Sequence, residues 1–249
     1  MKMKALKIIY NNFNELYCKK KAGTSENIHK LEKLREFCKD KQRCFIIGNG
    51  PSLNSEDLNL LKNEVTFACN RFFNIYDLWN PTIYFCQDPT ILKNNLSFIN
   101  DYNVKFKMIS PALKITKKYC SESIFYQVNR KLYFKGKPPQ FATDFSSGIY
   151  EGYSVVFSMI QAAVLLGFKE IYLLGVDFNY IIKDGKIDES SYPVGLSKTK
   201  GGGLPDMNYS LSAFNVAAQV CADKNIIIRN ASRITKLEAF ERCDLNKLF

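Results

Sequence analysis

Residues 43–53 read Arg-Cys-Phe-Ile-Ile-Gly-Asn-Gly-Pro-Ser-Leu, an apolar run cut off by two glycines. The run at 44–47 has charge before it and glycine after it, the pattern of a buried strand. Gly48, Asn49 and Gly50 permit a tight turn with positive φ, and positions 48 and 50 carry no side chain to keep another group off the backbone. Pro51 and Ser52 suit the opening of a helix. A strand, a glycine turn and a helix in that order point to an α/β fold, in which free N–H groups and a helix dipole can receive a phosphorylated ligand. The spacing is neither the dinucleotide-binding glycine pattern nor a P-loop, so the turn alone leaves a ligand site and a plain connection both open.

The following segments repeat the theme. Residues 64–68 predict a second strand, running into Cys69-Asn70-Arg71-Phe72-Phe73, and residues 82–86 a third, ending in Gln87-Asp88-Pro89. Ser55 is expected to cap the helix between the first two strands, with Glu56 and Asp57 in its first turn. Three strands in close succession, each with a polar residue at its C-terminal end, predict a mostly parallel sheet with a site along one edge. Residues 153–166 form the strongest helical signal, apolar nearly all round through Val155, Val156, Met159, Ile160, Ala163 and Val164. Such a helix is buried on the sheet, and Gly167 stops it. Residues 170–174 then predict a strand that ends in Gly175-Val176-Asp177-Phe178-Asn179-Tyr180.

The rest of the chain is arranged around these units. Residues 1–40 predict a helical extension packed on the core, with Leu6, Ile9, Phe13 and Leu16, then Ile28, Leu31, Leu34 and Phe37, three or four apart and a break at Gly23-Thr24-Ser25. The stretch 90–140 is less regular, with strands at 104–109 and 123–128. Residues 141–152 are polar and glycine-containing, a stretch expected near a ligand. Residues 181–208, with Gly201-Gly202-Gly203, read as a lid-like loop. A helix at 210–222, a strand at 225–229 and a short helical tail complete the expectation of one domain over 1–249, a length that buries a sizeable core.

Composition narrows the function classes. The chain has no apolar run of membrane-spanning length, and its first ten residues are too polar for a secretory signal, so a cytoplasmic protein is expected. Its eight cysteines include no Cys-x-x-Cys pair, and several sit inside apolar runs. They read as buried free thiols. A single histidine, His29, argues against a histidine-built metal site or a Ser-His-Asp triad. The net charge of +11 favours acidic partners: nucleotide phosphates, nucleic acid or an anionic membrane face. Lysine clusters at 18–21 and 114–118 lack interleaved aromatics, which disfavours nucleic acid. The lysines of the helical extension suit a solvated face and leave peripheral membrane contact open.

Three tracts together resemble one superfamily. They are Ile-Ile-Gly-Asn-Gly-Pro-Ser-Leu at 46–53, Cys-Asn-Arg-Phe-Phe at 69–73, and Leu-Gly-Phe-Lys-Glu-Ile-Tyr-Leu-Leu-Gly-Val-Asp-Phe at 166–178. Their order and spacing resemble the bacterial lipooligosaccharide sialyltransferases, the flagellin-modifying Maf glycosyltransferases and the MptE-like pterin diphosphokinases, over roughly residues 43–240. The resemblance implies a single Rossmann-like (GT-A-like) domain. For the sialyltransferase branch it implies a CMP-activated nonulosonic acid donor, a surface glycan acceptor, no required cofactor and a homo-oligomer. In that branch the glycine turn with Asn49 contacts the nucleotide, and Asn70 lines the donor site. Asp88 matches the polar residue before proline at the third strand end. Ser154 falls where the branch has a Ser/Thr-Gly step, here Ser-Val. Asn179 takes the first phosphate-binding tyrosine position, with Tyr180 beside it. The branch's histidine base has no counterpart, since that region holds Asn208 and Tyr209.

Transfer from a CMP-sugar needs the leaving phosphate held and the acceptor hydroxyl deprotonated. The donor-binding candidates are therefore Gly48, Asn49, Gly50, Pro51, Ser52, Asn70, Arg71, Ser154, Asn179 and Tyr180. Asp88, Asp177 and Glu151 are the catalytic candidates, with Asp206 a further carboxylate. Asp177 also reads as a turn cap, and Arg71 as a surface ion pair. The alternatives are an ATP-dependent pterin diphosphokinase and a non-catalytic nucleotide-binding protein. The diphosphokinase would need Mg²⁺ held by paired carboxylates, for which Asp88 and Asp177 are expected at neighbouring strand ends.

Overall fold

The sheet is built outward from the glycine-turn strand in both directions. The computed structural model describes residues 2–75, 79–115, 118–184, 186–191 and 206–249. From β1 (Arg43–Ile47) the chain steps one way through β2 (Val65–Cys69), β3 (Ile83–Cys86), β4 (Phe106–Ile109) and β5 (Ser123–Phe125). The short β6 (Val128–Asn129) and β7 (Ile149–Tyr150) pair apart from it. The chain then crosses to the far side of β1 as β8 (Glu170–Leu174). A small antiparallel hairpin, β9 (Ile182–Lys183) and β10 (Lys186–Ile187), precedes β11 (Ile227–Asn230) and β12 (Glu241–Arg242) at the edge. The order is β12-β11-β8-β1-β2-β3-β4-β5, and every neighbouring pair is parallel. Ile47 at the end of β1 sits opposite Leu174 of β8 and Ala68 of β2.

Helices cover both faces, which is why the central strands read as continuous apolar runs rather than alternating ones. The helices are α1 (Lys2–Ala22), α2 (Ser25–Cys38), α3 (Ser55–Leu60), α4 (Pro89–Asp101), α5 (Lys131–Phe134), α6 (Val155–Leu165) and α7 (Met207–Asp223). Cys44 and Ile46 of β1 join a core with α2, α6 and α7, through Leu34, Met159, Ile160 and Phe214. Phe45 and Ile47 point the other way, into a core with Leu58 of α3 and Phe72. A third cluster packs Leu92 and Leu96 of α4 on Tyr84 and Cys86. The mostly parallel α/β sheet expected from the sequence is therefore present.

Several local expectations are corrected. Pro51 and Ser52 do not open a helix. α3 starts at Ser55, and its cap is Asn54, whose side chain accepts from Asp57 N at 2.8 Å. The stretch read as less regular contains α4, capped by Asp88 and kinked at Asn95. There the Asn95 side chain donates to Ile91 O at 2.9 Å. Residues 123–128 split between β5 of the main sheet and β6 of the small ladder. The tail adds β12 to the sheet before a final 3₁₀ turn, Leu245–Leu248. Of the lid-like loop, residues 192–205 with the three glycines lie outside the described residues. All eight cysteines are free and six are buried, as expected. Burial pushes the Cys69 thiol up to about 12.

Candidate functional site

Because β2 and β8 flank β1 and their connections run to opposite sides, a crevice opens beyond the C-terminal ends of these strands. A cleft of about 580 Å³ occupies this switch point. Its walls are the glycine turn after β1, the Cys69-Asn70-Arg71 end of β2, residues 87–91 after β3, the start of α6, and residues 175–180 after β8.

The glycine turn is held by the loop beyond β8. Gly48 N donates to Leu174 O at 2.7 Å and Gly50 N to Gly175 O at 2.8 Å. Ser52 N donates to Asp177 Oδ2 at 2.8 Å, and Ser52 Oγ donates to Asp177 Oδ1. A Cβ on Gly48 would collide with the Gly175 carbonyl, and one on Gly50 would lie 2.5 Å from Asp177 Cγ. The glycines are therefore required by two loops packing backbone against backbone. The N–H groups at 48, 50 and 52, read from the sequence as free for an anion, are already bonded inside the protein.

Two asparagines complete the cleft floor. Asn49 Nδ2 donates to Cys69 O at 3.1 Å, linking the ends of β1 and β2. Its Oδ1 is buried without a hydrogen-bond partner, and so is Asn70 Oδ1. Asn70 has φ +51°, and its carbonyl accepts from the buried Tyr84 hydroxyl at 2.7 Å. Tyr153 (φ +55°) and Phe178 (φ +51°) also line the cleft. A left-handed backbone costs non-glycine residues about 1–2 kcal/mol. Its concentration at one cleft is the usual mark of a site held in shape by its surroundings.

The carboxylates differ in how committed they are. Both oxygens of Asp177 accept from Ser52, and burial raises its pKa against the lowering effect of those bonds. Asp88 Oδ1 accepts from Thr90 N at 2.6 Å and Ile91 N at 3.3 Å as the cap of α4. Its Oδ2 bonds no described residue. Glu151 is ion-paired with Arg130, Oε2 to Nε at 2.6 Å, and neither side chain is more than 15% exposed. Arg130 also donates to Gln87 O at 3.1 Å. Asp206 caps α7 by accepting from Tyr209 N at 3.0 Å, and neither it nor Asn208 nor Tyr209 lines the cleft.

Of the other expected residues, Pro51, Arg71, Ser154, Asn179 and Tyr180 all line the cleft, whereas Ser52 is turned to Asp177. Arg71 is buried, and Ser154 caps α6 by accepting from Val156 N at 3.3 Å. Sequence reasoning passed over Arg130, Gln87 and Tyr153. Arg130 follows a two-residue strand in the irregular stretch, and nothing around it marks it out. His29 lies on α2, exposed and 3.8 Å from Glu32. Asp88 and Asp177 are not at neighbouring strand ends. β1 and β2 separate β3 from β8, a span of about 14 Å at the usual strand spacing. No cluster of three or more metal-ligating side chains occurs among the described residues.

Sheet order and cleft together define an open, doubly wound α/β protein with a cleft at its switch point. A family model described as 6-hydroxymethylpterin diphosphokinase MptE-like matches residues 19–183, and the chain belongs to this MptE-like family. No curated protein sequence matches it. Among solved structures it is similar to the sialyltransferase CstII from Campylobacter jejuni in complex with the substrate analogue CMP-3FNeuAc. That likeness is 19% identical at a TM-score of 0.45, covering 82% of this chain and 88% of that one. It is also similar to the monofunctional alpha-2,3-sialyltransferase Cst-I from Campylobacter jejuni, at 17% identity and a TM-score of 0.46, covering 83% and 82%.

Proposed function

We propose that the cleft binds the nucleotide of an activated sugar, and that the protein is a glycosyltransferase moving a nonulosonic acid from a CMP-sugar to a surface glycan acceptor. The observation that carries this reading is the pair of buried, unpartnered side-chain oxygens, Oδ1 of Asn49 and Oδ1 of Asn70. Leaving such an atom unsatisfied costs about 1–3 kcal/mol. Asn49 Nδ2 is committed to Cys69 O, so Oδ1, which accepts only, is the side-chain atom still without a partner. A nucleoside offers matching donors in its exocyclic amine and ribose hydroxyls.

The phosphate has a different place to go, since the glycine turn offers it little. Arg71 and Arg130 bring cationic groups to the same cleft, and the first turn of α6 forms part of the wall. Both features favour a phosphate oxygen. In the transfer, the acceptor hydroxyl forms a bond to the sugar carbon as the bond to the phosphate oxygen breaks. CMP leaves with the electron pair, and the hydroxyl proton needs a base. Asp88 is assigned that role because one of its oxygens is uncommitted, whereas Asp177 and Glu151 are engaged by Ser52 and Arg130. Asp177 is then a positioning residue for the turn.

The family match over residues 19–183 favours a second reading, ATP-dependent diphosphate transfer to a hydroxymethylpterin. The Mg²⁺ that this chemistry uses does not fit the donor set in the paired form expected, because two strands lie between Asp88 and Asp177, and the first caps α4 while the second is bound to Ser52. The two readings separate on products. With a CMP-nonulosonate donor and a glycan acceptor, CMP should be released, and Asn70→Ala should raise the donor KM about tenfold, the worth of one hydrogen bond of about 1.4 kcal/mol. Release of AMP from ATP and a hydroxymethylpterin, with no CMP released, would replace the first reading by the second.

A further inference from the structure

Helix α1 is amphipathic with its polarity reversed. Its inner face is polar: Asn14 Oδ1 accepts from Leu113 N at 2.8 Å, and Glu15 accepts from Arg130 N at 3.0 Å and pairs with Lys131 at 3.1 Å. Cys18 on the same face donates to Pro111 O at 2.7 Å. Its outer face is apolar: Ile9, Phe13 and Leu16 are 50%, 62% and 64% exposed. At helical spacing these three fall on one stripe, which runs on to Lys20. Leaving such side chains half in water forgoes part of the about 1.5–3 kcal/mol that full burial of each would give. Exposed lysines stand near the stripe. Lys19 and Lys20 are exposed on α1, and Lys114 and Lys118 are exposed on the neighbouring segment, which Asn14 of α1 holds through Leu113 N.

We infer that α1 is a docking surface for an anionic lipid bilayer, lying in the interface with Ile9, Phe13 and Leu16 among the acyl chains and the lysines on acidic headgroups. Charge selects this occupant. α1 holds six lysines against one glutamate, and that glutamate is buried and paired. A second copy laid on the stripe would set lysines against lysines in a chain of net charge +11. An acidic membrane surface neutralises them instead, and basic amphipathic helices bind such surfaces by these two forces together. No helix among the described residues is long and apolar enough to cross a membrane, so the contact is peripheral. This inference is independent of which group the cleft transfers.

The test is vesicle pelleting of the full chain, with sedimentation of the free protein alongside. Wild type should pellet with phosphatidylcholine vesicles containing phosphatidylglycerol, much less with phosphatidylcholine alone, and less as salt rises. Phe13→Glu with Leu16→Glu should abolish pelleting. Lys19→Gln with Lys20→Gln should weaken it about 25-fold, near fivefold per lysine. Both double variants change exposed side chains and should melt as wild type does. Pelleting unchanged in either variant overturns the inference. So does a wild type that ignores the acidic vesicles, and sedimentation as a dimer that Phe13→Glu dissociates would then give the face to a second copy.

Discussion

Gly50→Ala should lower the melting temperature by about 6–12 °C and remove ligand binding with it. The added methyl would sit 2.5 Å from Asp177 Cγ and 2.6 Å from Gly175 O. The first obstacle is the carboxylate that bonds Ser52, so moving it breaks the tie between the two loops. The second is backbone in the loop that follows the central strand β8, and it has no rotamer to change. Overpacking of this kind costs about 3 kcal/mol, and a chain of this length loses roughly 2–4 °C per kcal/mol. Gly48→Ala meets the Gly175 carbonyl and should behave alike. Gly136→Ala is the control. Its φ is +62°, but no atom lies within 4 Å of the new methyl, so only the backbone cost of about 1–2 kcal/mol applies. Thermal melts of the three variants check the ranking, and equal losses at positions 50 and 136 would show that close loop packing is not what the turn needs.

Asp177→Ala should cost about 1–3 kcal/mol, because it leaves the Ser52 N–H and hydroxyl without their acceptor in a half-buried loop. Asp177→Asn keeps an oxygen for Ser52 N and an amide to donate to Ser52 Oγ, so it should stay within about 1 kcal/mol of wild type. The pair separates a positioning role from a catalytic one. If Asp177 only holds the turn, the Asn variant turns over within a few-fold of wild type. If it is the base, that variant melts normally and is inactive. A pH series adds a sign. Burial raises the folded pKa of Asp177, so the folded state holds its proton more tightly than the unfolded chain. The stability this gives is fully present below the unfolded carboxylate pKa, and is lost as pH rises through the raised value. Wild type should therefore gain on Asp177→Asn as pH is lowered from neutrality.

What could be read from the sequence was what local pattern encodes. β1, β8 and α6 are short or long apolar runs ended by glycine, and each appears close to where the pattern puts it. Asn70 and Asp88 stand directly after strands, and a parallel sheet brings such residues to one edge. The remainder depends on contacts far apart in the chain. α4 was masked by Asn94-Asn95, a pair that breaks helical periodicity and kinks the helix in fact. The anion-friendly reading of the glycine turn failed because its N–H groups are taken by residues 174–177, well over a hundred positions away. The Arg130–Glu151 pair joins the end of one short strand to the approach of α6, and only the fold brings the two together. α1 followed its periodicity faithfully, but periodicity does not say which side faces the body.

The central claim is that the cleft beside Asn49 and Asn70 is a nucleotide site for a CMP-linked donor. Isothermal titration of the full chain with CMP and with ATP, each with and without Mg²⁺, tests it most directly. CMP should bind without divalent metal, more tightly than ATP, and Asn70→Ala should weaken it about tenfold. Failure of CMP to bind under any of these conditions, or an affinity unchanged by Asn70→Ala, would contradict the account.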